Sequence, residues 1–305
     1  MRARPTRRRL APDRSVQRAP ASLTRMSAPT RSAVRPFVAR VTRRLLGAER
    51  AERVLRPLFR TGDRECPVCG ARCDRFVPLA PFLARTATEK GFPFGPDDME
   101  TLNAGEYSCP VCLESDRSRL YALYLKRALA PAGSDAASRI FVDFAPSAAL
   151  SRFIRALPGV RYRSADLYMP DVDDRADLMD LGCYADASVD AFLCSHVLEH
   201  VSDHRRAIAE LHRILTPGGW GIVMAPIALP LAHTHEVPGV ESEADRWRHY
   251  GQGDHARLFA RGDFLADLRR GGFAVRELGR DAFPAGEWER AGIADRSVLY
   301  VAEKR

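Results

Sequence analysis

The sequence predicts an α/β protein: a doubly wound, mostly parallel seven-stranded sheet, preceded by a small zinc-ribbon-like module and a basic N-terminal arm. Three observations carry that prediction. From about residue 139 onward, short apolar strands alternate with helical stretches. Upstream, Cys-Pro-Val-Cys occurs twice, at 66–69 and 109–112. The first 60 residues hold 17 Arg, no Lys and three acids (Asp13, Glu49, Glu52), a charge of +14, so the other 245 residues carry −6 of the overall +8. A chain-wide basic balance would suggest nucleic acid, but here it belongs to an arm, and the body is mildly acidic.

Residues 1–36 read as a solvated, disordered Arg-rich tail, with attraction to nucleic acid or anionic lipid as the alternative, and Met26 is a second possible start. The chain has 44 Arg against Lys90, Lys126 and Lys304 alone, the bias of a GC-rich coding sequence rather than of phosphate binding, which would use both types. Arg7, Arg8 and Arg9 are followed by a Pro-, Asp-, Arg- and Gln-rich stretch instead of an apolar run, so no export signal is expected and the location expected is cytoplasmic. The most apolar stretch, Trp220 to Ala232, is interrupted by Pro226 and Pro230 and falls short of the roughly 20 residues of a membrane span. Residues 37–60 form a basic amphipathic helix by spacing, with Phe37, Val38, Val41, Leu45, Leu46, Val54, Leu55 and Leu58 on its apolar stripe.

The cysteine module spans 61–131. A C-x-x-C turn aims two thiolates at one point, and two such turns complete a tetrahedral four-sulfur zinc site. Cys66, Cys69, Cys109 and Cys112 are the expected ligands, with Cys73 as a less favourable substitute for Cys69. Four thiolates leave no open position, so the ion is expected to be structural. The insert Phe76 to Glu106, with Pro78, Pro81, Pro93 and Pro96, reads as strand and loop with little helix. Ser115 and Asp116 then cap a helix to about Leu129, and Pro131-Ala132-Gly133-Ser134 marks a boundary.

The α/β domain covers 138–305. Its expected strands are 140–144, 160–165, a short one at 176–179, 189–194, 221–225, 273–278 and 297–302. Its expected helices are 148–157, 203–215 and 261–270. Ligands bind such sheets at the carboxyl ends of the strands, near the point where strand order reverses.

Two strings within this domain carry a resemblance. Ser188-Val189-Asp190-Ala191-Phe192-Leu193-Cys194-Ser195-His196-Val197-Leu198-Glu199-His200, followed by Leu211-His212-Arg213-Ile214-Leu215-Thr216-Pro217-Gly218-Gly219, resembles class I S-adenosylmethionine-dependent methyltransferases, nearest to the type 11 group. The wider resemblance covers about 138–304. Phe144-Ala145-Pro146 and the stretch Gly251-Gln252-Gly253-Asp254-His255 are similar to bacterial relatives that also carry a zinc-knuckle module.

The resemblance implies S-adenosylmethionine as cofactor, held by Asp143, Phe144, Ala145, Pro146, Asp166, Leu167, Asp177, Leu178 and Ser195. Asp143 matches the acid that opens the first motif, and Asp177 the acid that takes the adenine, with Asp180 as a fallback. Asp166, 23 residues after Asp143, suits the ribose hydroxyls. The chain departs from the pattern where Ala145, Ser147 and Ala149 replace the glycines of the first turn. Methyl transfer to an amine or hydroxyl benefits from a general base, and His196, His249 and His255 are the candidates. His200 reads as a turn-closing residue, His204 and His212 as solvated. His233-Thr234-His235-Glu236 reads as part of a substrate-covering loop ahead of a metal site.

The leading expectation is methyl transfer to a small molecule, with the zinc module building or covering the acceptor site. The alternatives are an RNA or protein methyltransferase held by module and arm, against which the −6 of the body argues, and a binding protein with a degenerate cofactor site. Oligomeric state is left open.

Overall fold

The computed structural model describes Thr42, residues 47–130 and residues 138–305. The expected tail, the first part of the amphipathic helix and the expected break at Pro131 lie outside the described residues.

Helix α1 (Ala48–Leu55) buries Ala51 and Leu55 against the cysteine module and exposes Val54, and Arg152 of the main domain pairs with its Glu52. The first knuckle lies between β1 (Arg64–Glu65) and β2 (Arg72–Cys73), an antiparallel pair. The insert after it departs from expectation, because Pro81–Glu89 is a nine-residue helix, α2. Proline breaks a helix interior but suits its first turn, where the missing N–H has no partner to lose, and Pro81 stands there. Helix α3 (Asp116–Ala128) starts as expected, with Ser115 Oγ accepting from Ser118 N, and its Leu120, Tyr121, Leu123 and Leu125 join the core of the main sheet.

That sheet contains β3 (Arg139–Phe144), β4 (Val160–Asp166), β5 (Asp174–Arg175), β6 (Val189–Ser195), β7 (Leu215–Met224), β8 (Ala274–Leu278) and β9 (Leu299–Glu303), in the order β5-β4-β3-β6-β7-β9-β8. β9 runs antiparallel to both neighbours, and the pairs from β5 to β7 are parallel. The seven-stranded, mostly parallel sheet expected from the sequence is therefore present. Helices α4 (Ala148–Arg155), α5 (His204–Ile214), α6 (Glu243–Tyr250), α7 (Arg261–Arg270) and α8 (Glu287–Arg290) complete the chain.

Two strands differ from expectation. The third strand is Asp174–Arg175 rather than 176–179, because Ala176 and Leu178 turn inward to fill the core while Asp177 and Asp180 bridge a tight turn. β7 starts at Leu215, and Pro217-Gly218-Gly219 bulges within it: pairing jumps from Val189–Leu215 to Ala191–Trp220. Farther along β7, a Cβ on Gly221 would lie 2.2 Å from the Phe192 ring, so only glycine lets these strands pack. The chain winds outward from β3 through β4 to β5, then crosses to β6 and β7, which puts the switch point between β3 and β6. No helix among the described residues is long and apolar enough to cross a membrane.

Candidate functional site

The two knuckles adopt the same turn. Gly70 N donates to Cys66 O and Leu113 N to Cys109 O, and the residue after the second Cys is left-handed in each, Gly70 at φ 72° and Leu113 at φ 68°. A leucine in that region costs about 1 kcal/mol or more, so the surrounding structure imposes the turn. Cys66 Sγ lies 3.7 Å from Cys112 Sγ and Cys69 Sγ 3.7 Å from Cys109 Sγ, all four within 4.8 Å of one another. Sulfurs about 2.3 Å from a tetrahedral zinc stand about 3.8 Å apart, so the donor set and its spacing fit that ion. Cys73 is buried but outside this group.

At the switch point, β3 ends in a turn that retains its glycine-type backbone without glycine: Ala145 is at φ 56°. Ser147 makes no side-chain cap for α4. Glu114, one residue past the second knuckle's turn, supplies it instead, its Oε1 accepting from Leu150 N (3.1 Å) and Ser147 Oγ (2.8 Å). Asp143 faces inward, 1% exposed, with Tyr162 Oη donating to its Oδ2 at 2.7 Å. Burial pushes its carboxyl up to about 7.

Asp166 ends β4. Its Oδ1 accepts from Tyr168 N and Met169 N, and its other oxygen has no hydrogen-bond partner among the described residues. Asp177 is placed the same way after β5, with Oδ1 accepting from Met179 N. Phe144 and Leu178 are buried, Pro146 and Leu167 half-buried, and Ser195 Oγ lies 2.8 Å from Tyr121 Oη of α3. An open turn with two acids at the ends of successive strands fits the methionine end, ribose and adenine of S-adenosylmethionine.

A cavity of about 480 Å³ is walled by the insert and α2 (Leu83, Phe92, Phe94, Tyr107), by the chain just after β7 (Pro226, Ile227) and by α6 with its following loop (Trp247, Tyr250, His255). His196 and Arg117 also line it. Of the three candidate histidines, two are therefore together. His249 is not among the lining residues, and its Nδ1 sits 3.1 Å from His235 Nε2. Helical spacing explains this: Trp247, Tyr250 and Gly251 share the face that meets the cavity, and residue 249 points away from it.

The wall is electrostatically tight. Arg117 Nη1 lies 2.6 Å from His196 Nε2. Burial, then Arg117, hold His196 below the ordinary histidine range, and burial pushes His255 down to about 4. Burial opposes a charge on Glu199, which is fully buried, but His196, His255 and His200 outweigh it and hold its carboxyl below the usual range. Behind them, Arg257 is 1% exposed and donates to Leu198 O, Val201 O and Ser202 O, while Ala256 N donates to Glu199 O at 2.7 Å. Arg257 also takes the Glu236 carboxylate, so the His233-to-Glu236 stretch spends its acid on an ion pair, and His233 is exposed.

Residues 159–223, which run from the edge of β4 to the end of β7, match a family described as a methyltransferase domain. The match covers about a fifth of the chain, the middle of the sheet. Similar solved structures include an S-adenosylmethionine-dependent methyltransferase from Mesorhizobium loti, 22% identical, covering 59% of this chain and 96% of that one at a TM-score of 0.41. A second, from Archaeoglobus fulgidus, is 13% identical over 62% of this chain and 91% of the other, with a TM-score of 0.40. A third is a 1,6-didemethyltoxoflavin-N1-methyltransferase from Burkholderia thailandensis with 1,6-didemethyltoxoflavin and S-adenosylhomocysteine bound, 17% identical over 55% of this chain and 72% of that one, with a TM-score of 0.35. No curated protein matches the chain.

The switch-point end of the sheet takes in residues that sequence reading passed over. Glu114, Arg117 and Tyr121 reach it from the cysteine module and α3. Arg117 and Tyr121 are one helical turn apart, so their polar heads on the buried side of α3 were the available signal. Glu199 and His200 stood in view as motif residues, and their approach to His255 depends on contacts between segments more than fifty residues apart.

Proposed function

We propose that this chain is an S-adenosylmethionine-dependent methyltransferase acting on a small, largely apolar acceptor. The observation that carries the reading is the cavity of about 480 Å³, of the size that encloses a small ligand, opening on His196 at the end of β6, the strand paired with β3. Its wall mixes aromatic and aliphatic side chains with Arg117, His196, Gln252 and His255, and with one arginine and no lysine it is unlike the basic surface of a polymer groove. The body's charge of −6 supports the same choice.

In this reading Ala145, Pro146 and the adjoining backbone cradle the methionine end, Asp166 holds the ribose hydroxyls and Asp177 the adenine amino group, with Phe144, Leu167, Leu178 and Ser195 shaping the pocket. Asp143 acts from beneath by holding the turn. The cofactor supplies an activated methyl group, and the protein contributes mainly alignment and exclusion of water. His196 and His255 face the acceptor and serve its proton; His249 positions the loop through His235. Zinc on Cys66, Cys69, Cys109 and Cys112 holds the module whose insert and α3 form the cavity's outer wall.

Isothermal titration with S-adenosylhomocysteine tests the cofactor half. Saturable binding is expected, weakened at least about tenfold, or about 1.4 kcal/mol, by Asp166→Ala. Absence of heat at millimolar ligand sinks the reading. On an identified acceptor, His255→Ala is expected to lower kcat/KM by more than about tenfold with cofactor affinity unchanged.

A further inference from the structure

Beyond the four-cysteine site, we propose that Glu199, His200 and His255 bind a divalent transition-metal ion at the edge of the acceptor cavity. One ligand atom from each lies within 4.8 Å of the others. Two imidazoles and one carboxylate are the donors of open, reactive metal sites, in contrast to the closed set of four thiolates.

The second observation is independent of that spacing. Glu199 is fully buried, yet neither of its oxygens has a hydrogen-bond partner among the described residues, and His255 Nδ1 is buried and unpartnered as well. His196 Nδ1 comes within 3.0 Å of Glu199 Oε1, but off the direction of a hydrogen bond. Buried polar atoms without hydrogen bonds are costly, and a cation held between Glu199 and the two imidazoles offsets that cost.

The surroundings are those of a built site. His200 Nε2 is 4.0 Å from Glu199 Oε1 while its Nδ1 is 3.4 Å from Asp254 Oδ2, the outer carboxylate that orients a ligating imidazole. Arg257 and the Ala256 N–Glu199 O bond clamp the two ligand segments together. His255 lines the cavity, so a coordination position there meets the acceptor.

This adds to the methyltransferase reading a class of acceptor, one that presents a metal-binding hydroxyl. The hydroxyl gives up its proton to His196, His255 then being a ligand and no longer a base; the oxygen lone pair forms the new bond to the methyl carbon, and the carbon–sulfur bond breaks with its electron pair left on sulfur. The products are a methyl ether, S-adenosylhomocysteine and one proton. That chemistry rests on the proposed function; the metal site itself does not.

The test is a Mn²⁺ titration of the full chain with its thiolate zinc in place, followed by electron paramagnetic resonance, since Mn²⁺ prefers oxygen and nitrogen donors to thiolates. One Mn²⁺ per chain is expected, with hyperfine coupling to histidine nitrogen in the unmodified protein. Glu199→Gln, and His200→Ala on the more exposed ring, are each expected to weaken it by at least about tenfold. No Mn²⁺, Co²⁺ or Zn²⁺ held beyond the thiolate ion overturns the proposal, as does a bound Mn²⁺ without nitrogen coupling or with equal affinity in the variants. S-adenosylhomocysteine binding in the same samples separates this outcome from failure of the cofactor reading.

Discussion

Asp143 shows how a motif residue acquires a different task in its surroundings. Its place before the turn is legible from spacing, but its carboxyl lies inside, against Tyr162 Oη and near Ser151 Oγ. With a folded value of about 7 against about 3.9 in an unfolded chain, the native state holds its proton more tightly. The resulting stability is fully present below about pH 4 and is lost as pH rises through about 7, amounting to about 4 kcal/mol at most. Asp143→Asn is therefore expected to flatten the fall in stability between pH 4 and pH 7, read by urea melts across that range. An unchanged pH profile refutes the burial argument. Ala145 tells a related story: alanine stands where the pattern has glycine, and the backbone takes φ 56° regardless.

At the scale of elements, the ends of α3 and α4 meet. α4 begins with a serine that does not cap it, and the carboxylate of Glu114 satisfies its first turn from across the chain. A negative group there also suits the helix dipole. Glu114→Ala is expected to cost about 1–2 kcal/mol in chemical denaturation, the loss of a cap to a buried N–H. A loss under a few tenths would show that water replaces the carboxylate. Sequence reading found α3, α5 and α7 nearly to the residue, because caps and apolar periodicity are local. It missed α2, since four prolines in the insert masked one proline that starts a helix. The β7 bulge and the short β5 depend on pairing partners and core filling, which local pattern does not report.

At the scale of the molecule, the cysteine module and the sheet are joined through a buried cation. Arg119, with no exposed surface, donates to Ala291 O (2.6 Å), Tyr107 O (2.9 Å), Glu106 O, Glu114 O and Gly292 O, and its guanidinium stacks on Phe76 at 3.8 Å. Arg119→Met is expected to cost about 3 kcal/mol or more, since it orphans several buried carbonyls at once. A melt within about 1 kcal/mol of the parent would count against this clamp. Cys109→Ser, by opening the thiolate set, is expected to lose one zinc per chain by elemental analysis. Acceptor turnover is then expected to fall more than S-adenosylhomocysteine affinity, because the module walls the cavity while the cofactor residues sit on the sheet. Equal loss of both would place the module's role in general stability.

The sequence by itself determined the alternation that makes the sheet, the paired knuckles, the acids at the ends of β4 and β5, and the division of charge between arm and body. Each rests on spacing along one short segment, where period and residue type suffice. Only the tertiary structure decided which histidines share a wall, that Glu199 is buried without a partner, and that Arg117, Tyr121 and Glu114 reach the cleft from the cysteine module. Those are contacts between segments far apart in the chain, and they follow from how the sheet's switch point, the module and the loop after α6 pack together.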